Sequence, residues 1–105
     1  MAQFSLYENQ NPHSMQVYPY FVDIQNDLLD MLDSRLVIPV TPYHCADKVN
    51  IANLCPKVTI HGESYVLLTH QITSIPLSAL KVVVTSLAYL RGEIVDAVDL
   101  LSTGI

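Results

Sequence analysis

The chain has 105 residues, half of them apolar and only 14% charged, with ten acids against five bases and a net charge of −5. Its length predicts a single domain over residues 1–105 that can bury a core without staples, and its composition is too apolar for disorder. The bases Arg35, Lys48, Lys57, Lys81 and Arg91 are scattered, which argues against direct binding of nucleic acid or of an anionic membrane surface.

Residues 3–9, QFSLYEN, alternate with Phe4 and Leu6 on one face and predict a strand. Residues 9–14, NQNPHS, are dense in turn formers and predict a loop. VYPYFVDIQ (17–25) is β-branched and aromatic, so a second strand follows; Pro19 fits an edge position or an irregular start. The acidic NDLLDMLDS (26–34) predicts one helical turn or a structured loop. RLVIPVTP (35–42) predicts a strand that bends at Pro39, and HCADKVNIANLC (44–55) a mixed loop. In KVTIHGESYVLLTHQIT (57–73), two β-rich arms flank His61, Gly62, Glu63 and Ser64, which predicts a hairpin with a four-residue connection. In SIPLSAL (74–80), Pro76 ends the strand, and KVVVT (81–85) is ambiguous between strand and helix.

Leu87, Leu90, Ile94, Val98 and Leu101 recur at helical spacing and form one apolar stripe, with Arg91, Glu93, Asp96 and Asp99 mainly off it. The pattern predicts a helix over about 87–102 and an exposed tip over 103–105. Gly92 costs this helix about 1 kcal/mol relative to alanine. Gly104 suits a left-handed cap, and Ile105 could fold back on an apolar residue near Leu101. The predicted fold class is mainly β and antiparallel, with one C-terminal helix.

Little in the chain points to chemistry. Cys45 and Cys55 fit no C-x-x-C motif and read as two reduced thiols. His13, His44, His61 and His70 show no compact ligand spacing, so no metal is expected. Asp23, Asp27, Asp30 and Asp33 cluster without a nearby nucleophile or phosphate loop and read as turn capping. No G-x-S-x-G, P-loop or dinucleotide fingerprint occurs, and three glycines leave no room for a glycine-cradled cofactor. Tyrosine dominates the aromatics, as interface residue or core filler. The apolar excess hints at a subunit interface. With no basic leader and no stretch near 20 apolar residues, a cytoplasmic binding protein without cofactors is expected, not an enzyme.

Several stretches are more distinctive. FVDIQNDLLD (21–30), RLVIPV (35–40) and the closing Gly104-Ile105 resemble the CcdB family of bacterial toxins. QFSLY, ADKV (46–49), CPKVTIHGESY (55–65) and TSIPLSAL (73–80) fall in register, so the resemblance runs from Gln3 to Ile105. It implies an SH3-like barrel of the CcdB/MazF type, an antiparallel sheet with a small extra sheet and a C-terminal helix, assembled as a homodimer. It also implies the toxin of a toxin–antitoxin module. Such a toxin binds the A subunit of DNA gyrase, traps the gyrase–DNA cleavage complex, and is neutralised by a CcdA-like antitoxin. Ribonuclease toxins share the fold, but the acidic balance disfavours RNA as a substrate here.

By the same resemblance, the gyrase-binding residues are Thr103, Gly104, Ile105, Asp99, Leu28, Leu29 and Asn26. Antitoxin contacts fall on Tyr65 and on the loop carrying Asn9, Gln10 and Asn11. Two positions depart from the family pattern: Thr103 stands where the family has tryptophan, and Asp99 where it has asparagine. Threonine cannot cover the area of a tryptophan, and a carboxylate cannot donate as an amide does. An alternative reading is therefore a toxin-fold module that binds antitoxin but poisons gyrase weakly or not at all.

Overall fold

The computed structural model describes residues 3–25, 32–46 and 55–103. Its strands are β1 (Ser5–Glu8), β2 (Tyr20–Asp23), β3 (Ser34–Pro42), β4 (Lys57–Ile60), β5 (Glu63–Leu67), β6 (Thr73–Pro76) and β7 (Val83–Ser86). The C-terminal helix α1 (Arg91–Thr103) follows a 3-10 turn at Ala88–Leu90. The strands form a curled antiparallel sheet in the order β4-β5-β3-β2-β1-β7, with β6 attached to β3 off that path. The fold is mainly β with one C-terminal helix, as the sequence predicts, and the sheet curls into a half-barrel. The extra strand is not separate from the main sheet, because β3 joins both.

The long strand β3 explains this branching. Its first half, Ser34 to Val37, pairs with β6, and its end, Val40 to Pro42, pairs with β5. Pro39 lies at the changeover. Its carbonyl accepts from the Leu68 N–H at 2.9 Å, so its peptide faces the side where partners change. A missing N–H costs no ladder bond at such a place. The strand therefore runs through Pro39. Pro19 sits just ahead of β2, which lies between β1 and β3 and is not an edge; the irregular start is the correct alternative.

Both faces of the central strands are covered. Leu6, Val22 and Ile38 stand side by side across β1, β2 and β3, each fully buried, and pack with Leu67, Leu87 and Ile94. On the other face, Tyr7 and Val37 pack with Leu80, Phe21 and Ile75. The ambiguous 81–85 segment contributes β7, since pairing with β1 rewards its β-branched residues more than a helix would.

The hairpin connection is shorter than predicted. Ile60 pairs with Glu63, so only His61 and Gly62 lie in the turn, and Glu63 and Ser64 belong to β5. His61 (φ 51°) and Gly62 (φ 82°) both have positive φ, the signature of a type I′ turn whose twist matches the strands it joins. No heavy atom lies within 4 Å of a Cβ built on Gly62. Gly62→Ala should therefore lower stability through backbone strain alone, by about 1 kcal/mol, as a shift of the urea midpoint without a change of slope.

Candidate functional site

The apolar stripe of the last helix is used unevenly. Leu87 and Ile94 are 1% exposed and Ala97 4%, whereas Val95 is 40% and Leu101 36% exposed. The helix thus packs on the core through Ile94 and Ala97 and turns Val95 and Leu101 outward. Beside it lies an open cleft of about 120 Å³ lined by Gln3, Phe4, Ile24, Ile94, Val95, Val98 and Asp99.

Two strand ends build the cleft's other wall. Gln3 donates from Nε2 to the Ile24 carbonyl at 3.1 Å. Phe4 donates its N–H to the Asp23 carbonyl and accepts from the Leu87 N–H at 2.7 Å. Its φ of 69° is rare for a bulky side chain. That conformation persists because β2 and the approach to the helix both hold its backbone. The result is an apolar floor with an amide and a carboxylate at the rim. Among the described residues, no group of three or more His, Cys, Asp or Glu could hold a metal ion. The cleft presents no nucleophile with an adjacent base; it suits an apolar group of a partner.

Beneath this wall lies a buried ion pair. Asp23 and Arg35 are 0% and 1% exposed, with Arg35 Nη2 at 2.8 Å and Nε at 3.0 Å from Asp23 Oδ2. Asp23 Oδ1 accepts from the Gln25 N–H at 2.9 Å, and Gln25 Oε1 from the Leu36 N–H at 3.1 Å. These bonds fix the backbone at Gln25, the last described residue before 26–31. Burial, and then the charge of Asp23, push the nearby Tyr7 hydroxyl above its ordinary pKa, with Arg35 opposing. Asp23, read from sequence as part of a turn-capping cluster, does cap the turn at Gln25, but from inside the core rather than from a solvated surface.

Of the residues proposed from sequence for gyrase, Asp99 lies in the cleft, and Thr103 ends α1 four residues later. Asn26, Leu28, Leu29, Gly104 and Ile105 lie outside the described residues. Gln3, Phe4 and Val95 were missed. Phe4 carried only the alternation of a strand, and Gln3 and Val95 no pattern at all, and neither separates a cleft wall from the rest of the surface or core.

The antitoxin candidates divide. Asn9 is 4% exposed and builds the loop it starts. Its Nδ2 donates to Ser14 Oγ at 2.9 Å and to the Tyr18 carbonyl at 2.7 Å, while Oδ1 accepts from the Asn11 N–H at 2.9 Å. Gln10 and Asn11 are exposed, as are the apolar Met15 (46%) and Val17 (53%) of the same loop. Tyr65 is a core residue: its ring meets Tyr20 edge-on at 5.3 Å and its hydroxyl donates to Glu63 Oε2 at 3.2 Å.

Burial, followed by Tyr20 and the Glu63 charge, pushes Tyr65 up to about 12. An unfolded tyrosine ionises near pH 10. Below that pH both states stay protonated and the contribution of Tyr65 is intact. As pH rises from about 10 towards 12, the unfolded chain ionises first and stability is lost. Urea midpoints at pH 8 and pH 11 should therefore fall further for the parent than for Tyr65→Phe.

Both cysteines are free thiols. Cys45 is exposed; Cys55 is buried with Sγ 3.6 Å from His70 Nδ1. Desolvation pushes the Cys55 thiol up, so it stays protonated at neutral pH and is a poor nucleophile.

The decisive finding is the extent of the family match. The model for CcdB protein matches residues 3–104, from the cleft's first residue to one short of the end. The chain belongs to the CcdB family. Membership makes it a toxin of a toxin–antitoxin module, with an antitoxin as partner. No helix among the described residues is long and apolar enough to cross a membrane.

Proposed function

We propose that this CcdB-family toxin binds the A subunit of DNA gyrase and traps gyrase on cleaved DNA, and that a CcdA-like antitoxin neutralises it. It acts as a cytoplasmic homodimer that binds its target and carries out no catalysis of its own. The observation that supports this reading best is the last helix presenting the exposed Val95 and Asp99 beside an apolar cleft. A helix end of this kind offers a short apolar contact without disturbing the sheet. Gln3 and Phe4 join the contact from the opposite wall.

Purified protein should stabilise gyrase–DNA cleavage complexes on supercoiled plasmid. A chain ending at Ser102 should lose that effect while keeping its urea midpoint and its oligomeric state. No cleavage at micromolar dimer would defeat the proposal. Thr103 favours a second reading, because it lacks the aromatic area that such contacts use. In that reading the protein holds antitoxin but poisons gyrase weakly or not at all.

A further inference from the structure

The Asp23–Arg35 pair is aimed at one neighbour. Arg35 Nε and Nη2 both reach Asp23 Oδ2, at 3.0 and 2.8 Å. The other oxygen, Oδ1, accepts from the Gln25 N–H at 2.9 Å. Arg35 Nη2 also donates to the Gln25 carbonyl, at 3.4 Å. Gln25 Oε1 accepts from the Leu36 N–H at 3.1 Å. Gln25, only 4% exposed, is thus held by its N–H, its carbonyl and its side chain.

These bonds act where the sheet stops. Strand β2 ends at Asp23, whose partner in β3 is Val37. The Ile24 N–H still reaches the Leu36 carbonyl, at 3.0 Å. At Gln25, bonds to or from side chains take over. Residues 23–25 also carry one wall of the cleft beside α1. Ile24 lines that cleft, and its carbonyl accepts from Gln3 Nε2 at 3.1 Å. The Asp23 carbonyl accepts from the Phe4 N–H, which helps to hold Phe4 at its φ of 69°. Gln3, Phe4 and Ile24 therefore hang on the short stretch of backbone that the ion pair fixes.

Stability alone does not account for such a pair. Apolar residues of similar volume often stabilise a core as well as two buried charges do. What they cannot supply is an acceptor aimed at the Gln25 N–H and a donor aimed at its carbonyl. Those directed bonds are what distinguishes the pair from apolar filling, and they lead to the cleft wall.

We propose that Asp23 and Arg35 are positioning residues for gyrase binding: through Gln25 they hold the Gln3–Phe4–Ile24 wall in the posture that the target meets. The inference rests on the gyrase reading and adds to it the residues that set the contact from inside the core. The test compares the full-length parent with two double variants, Asp23→Val with Arg35→Met and Asp23→Asn with Arg35→Met. The first removes both directed bonds to Gln25, and the second keeps an acceptor for its N–H. Val66→Ala, in a separate core cluster, is the control for lost stability. All are titrated with the gyrase A subunit at a temperature where each is fully folded, and 15N spectra report the wall.

The valine–methionine variant should bind at least about tenfold more weakly than the parent, the usual result of loosening the support of a contact. The asparagine–methionine variant should fall between them, and it keeps the test open if the first variant does not fold. Val66→Ala should bind within about twofold of the parent, since its change leaves the wall in place. In both double variants the Gln3 side-chain amide should move towards the position of a free glutamine, and the Phe4 and Ile24 amides should exchange faster. Those signals should stay unchanged in Val66→Ala. A parent that binds gyrase together with folded double variants that bind equally well would overturn this inference alone. So would an equal loss in Val66→Ala, or an undisturbed Gln3 amide. A parent that does not bind gyrase would remove the gyrase reading and this inference together.

Discussion

Arg35→Met lowers the free energy of unfolding by about 3–5 kcal/mol, the usual result of removing one partner from a buried ion pair. The side chain is 1% exposed, and its removal strands a carboxylate that is 0% exposed. Water cannot reach Asp23 to compensate, so the group must take a proton or open the structure around it. Domains of this size are stable by only about 5–15 kcal/mol, so the loss is a large share of the total. Adding Asp23→Asn to Arg35→Met should restore part of it. A neutral amide oxygen can still accept from the Gln25 N–H without leaving a buried charge. Chemical denaturation of the parent, the single variant and the double variant measures both effects. A single variant within 1 kcal/mol of the parent would show that the pair is replaceable by packing alone.

Thr103→Trp strengthens gyrase binding by about 2 kcal/mol, or roughly thirtyfold, if the helix end is the contact. Thr103 is the final residue of α1, one turn beyond Asp99 and the cleft. An indole there adds area that desolvates on contact, whereas a threonine adds little. The cleavage assay should show complexes at correspondingly lower concentrations of the variant. Thr103→Ala should leave the parent's activity nearly unchanged, because threonine already lacks the anchor. If the parent holds antitoxin without poisoning gyrase, the tryptophan variant alone gains cleavage activity. Identical titrations of parent and tryptophan variant would remove the helix end from the contact.

Much of the fold is visible in local patterns. The alternation at Phe4 and Leu6, the β-rich arms around Gly62 and the helical stripe from Leu87 are one-dimensional signals of periods fixed by backbone geometry. The errors arise where a distant segment changes the meaning of a residue. The hairpin looked four residues long because Glu63 and Ser64 have weak strand preference; pairing with Thr59 and Ile60 overrides it. Val83 to Ser86 become strand because β1, nearly eighty residues earlier, supplies a partner.

The candidate site was legible in proportion to how local it is. Asp99 could be placed on an exposed helix face from spacing, and it does border a cleft. The opposite wall, Gln3 and Phe4, could not, because it meets the helix only when β1 folds beside β2 and Leu87. Tyr65 and Asn9 carry polar groups that suit a contact surface, yet both are buried with those groups hydrogen-bonded inside the molecule.

Composition, charge and period thus established a mainly β acidic chain with a terminal amphipathic helix, and the motifs along it carried the family resemblance. These properties depend on residues a few positions apart. Folding alone settled which strand β3 pairs with on each side of Pro39, which apolar residues of the last helix stay exposed, and which polar residues the core consumes. Those outcomes depend on hydrogen bonds and buried surface shared between segments far apart in the chain, and no window of the sequence contains both partners.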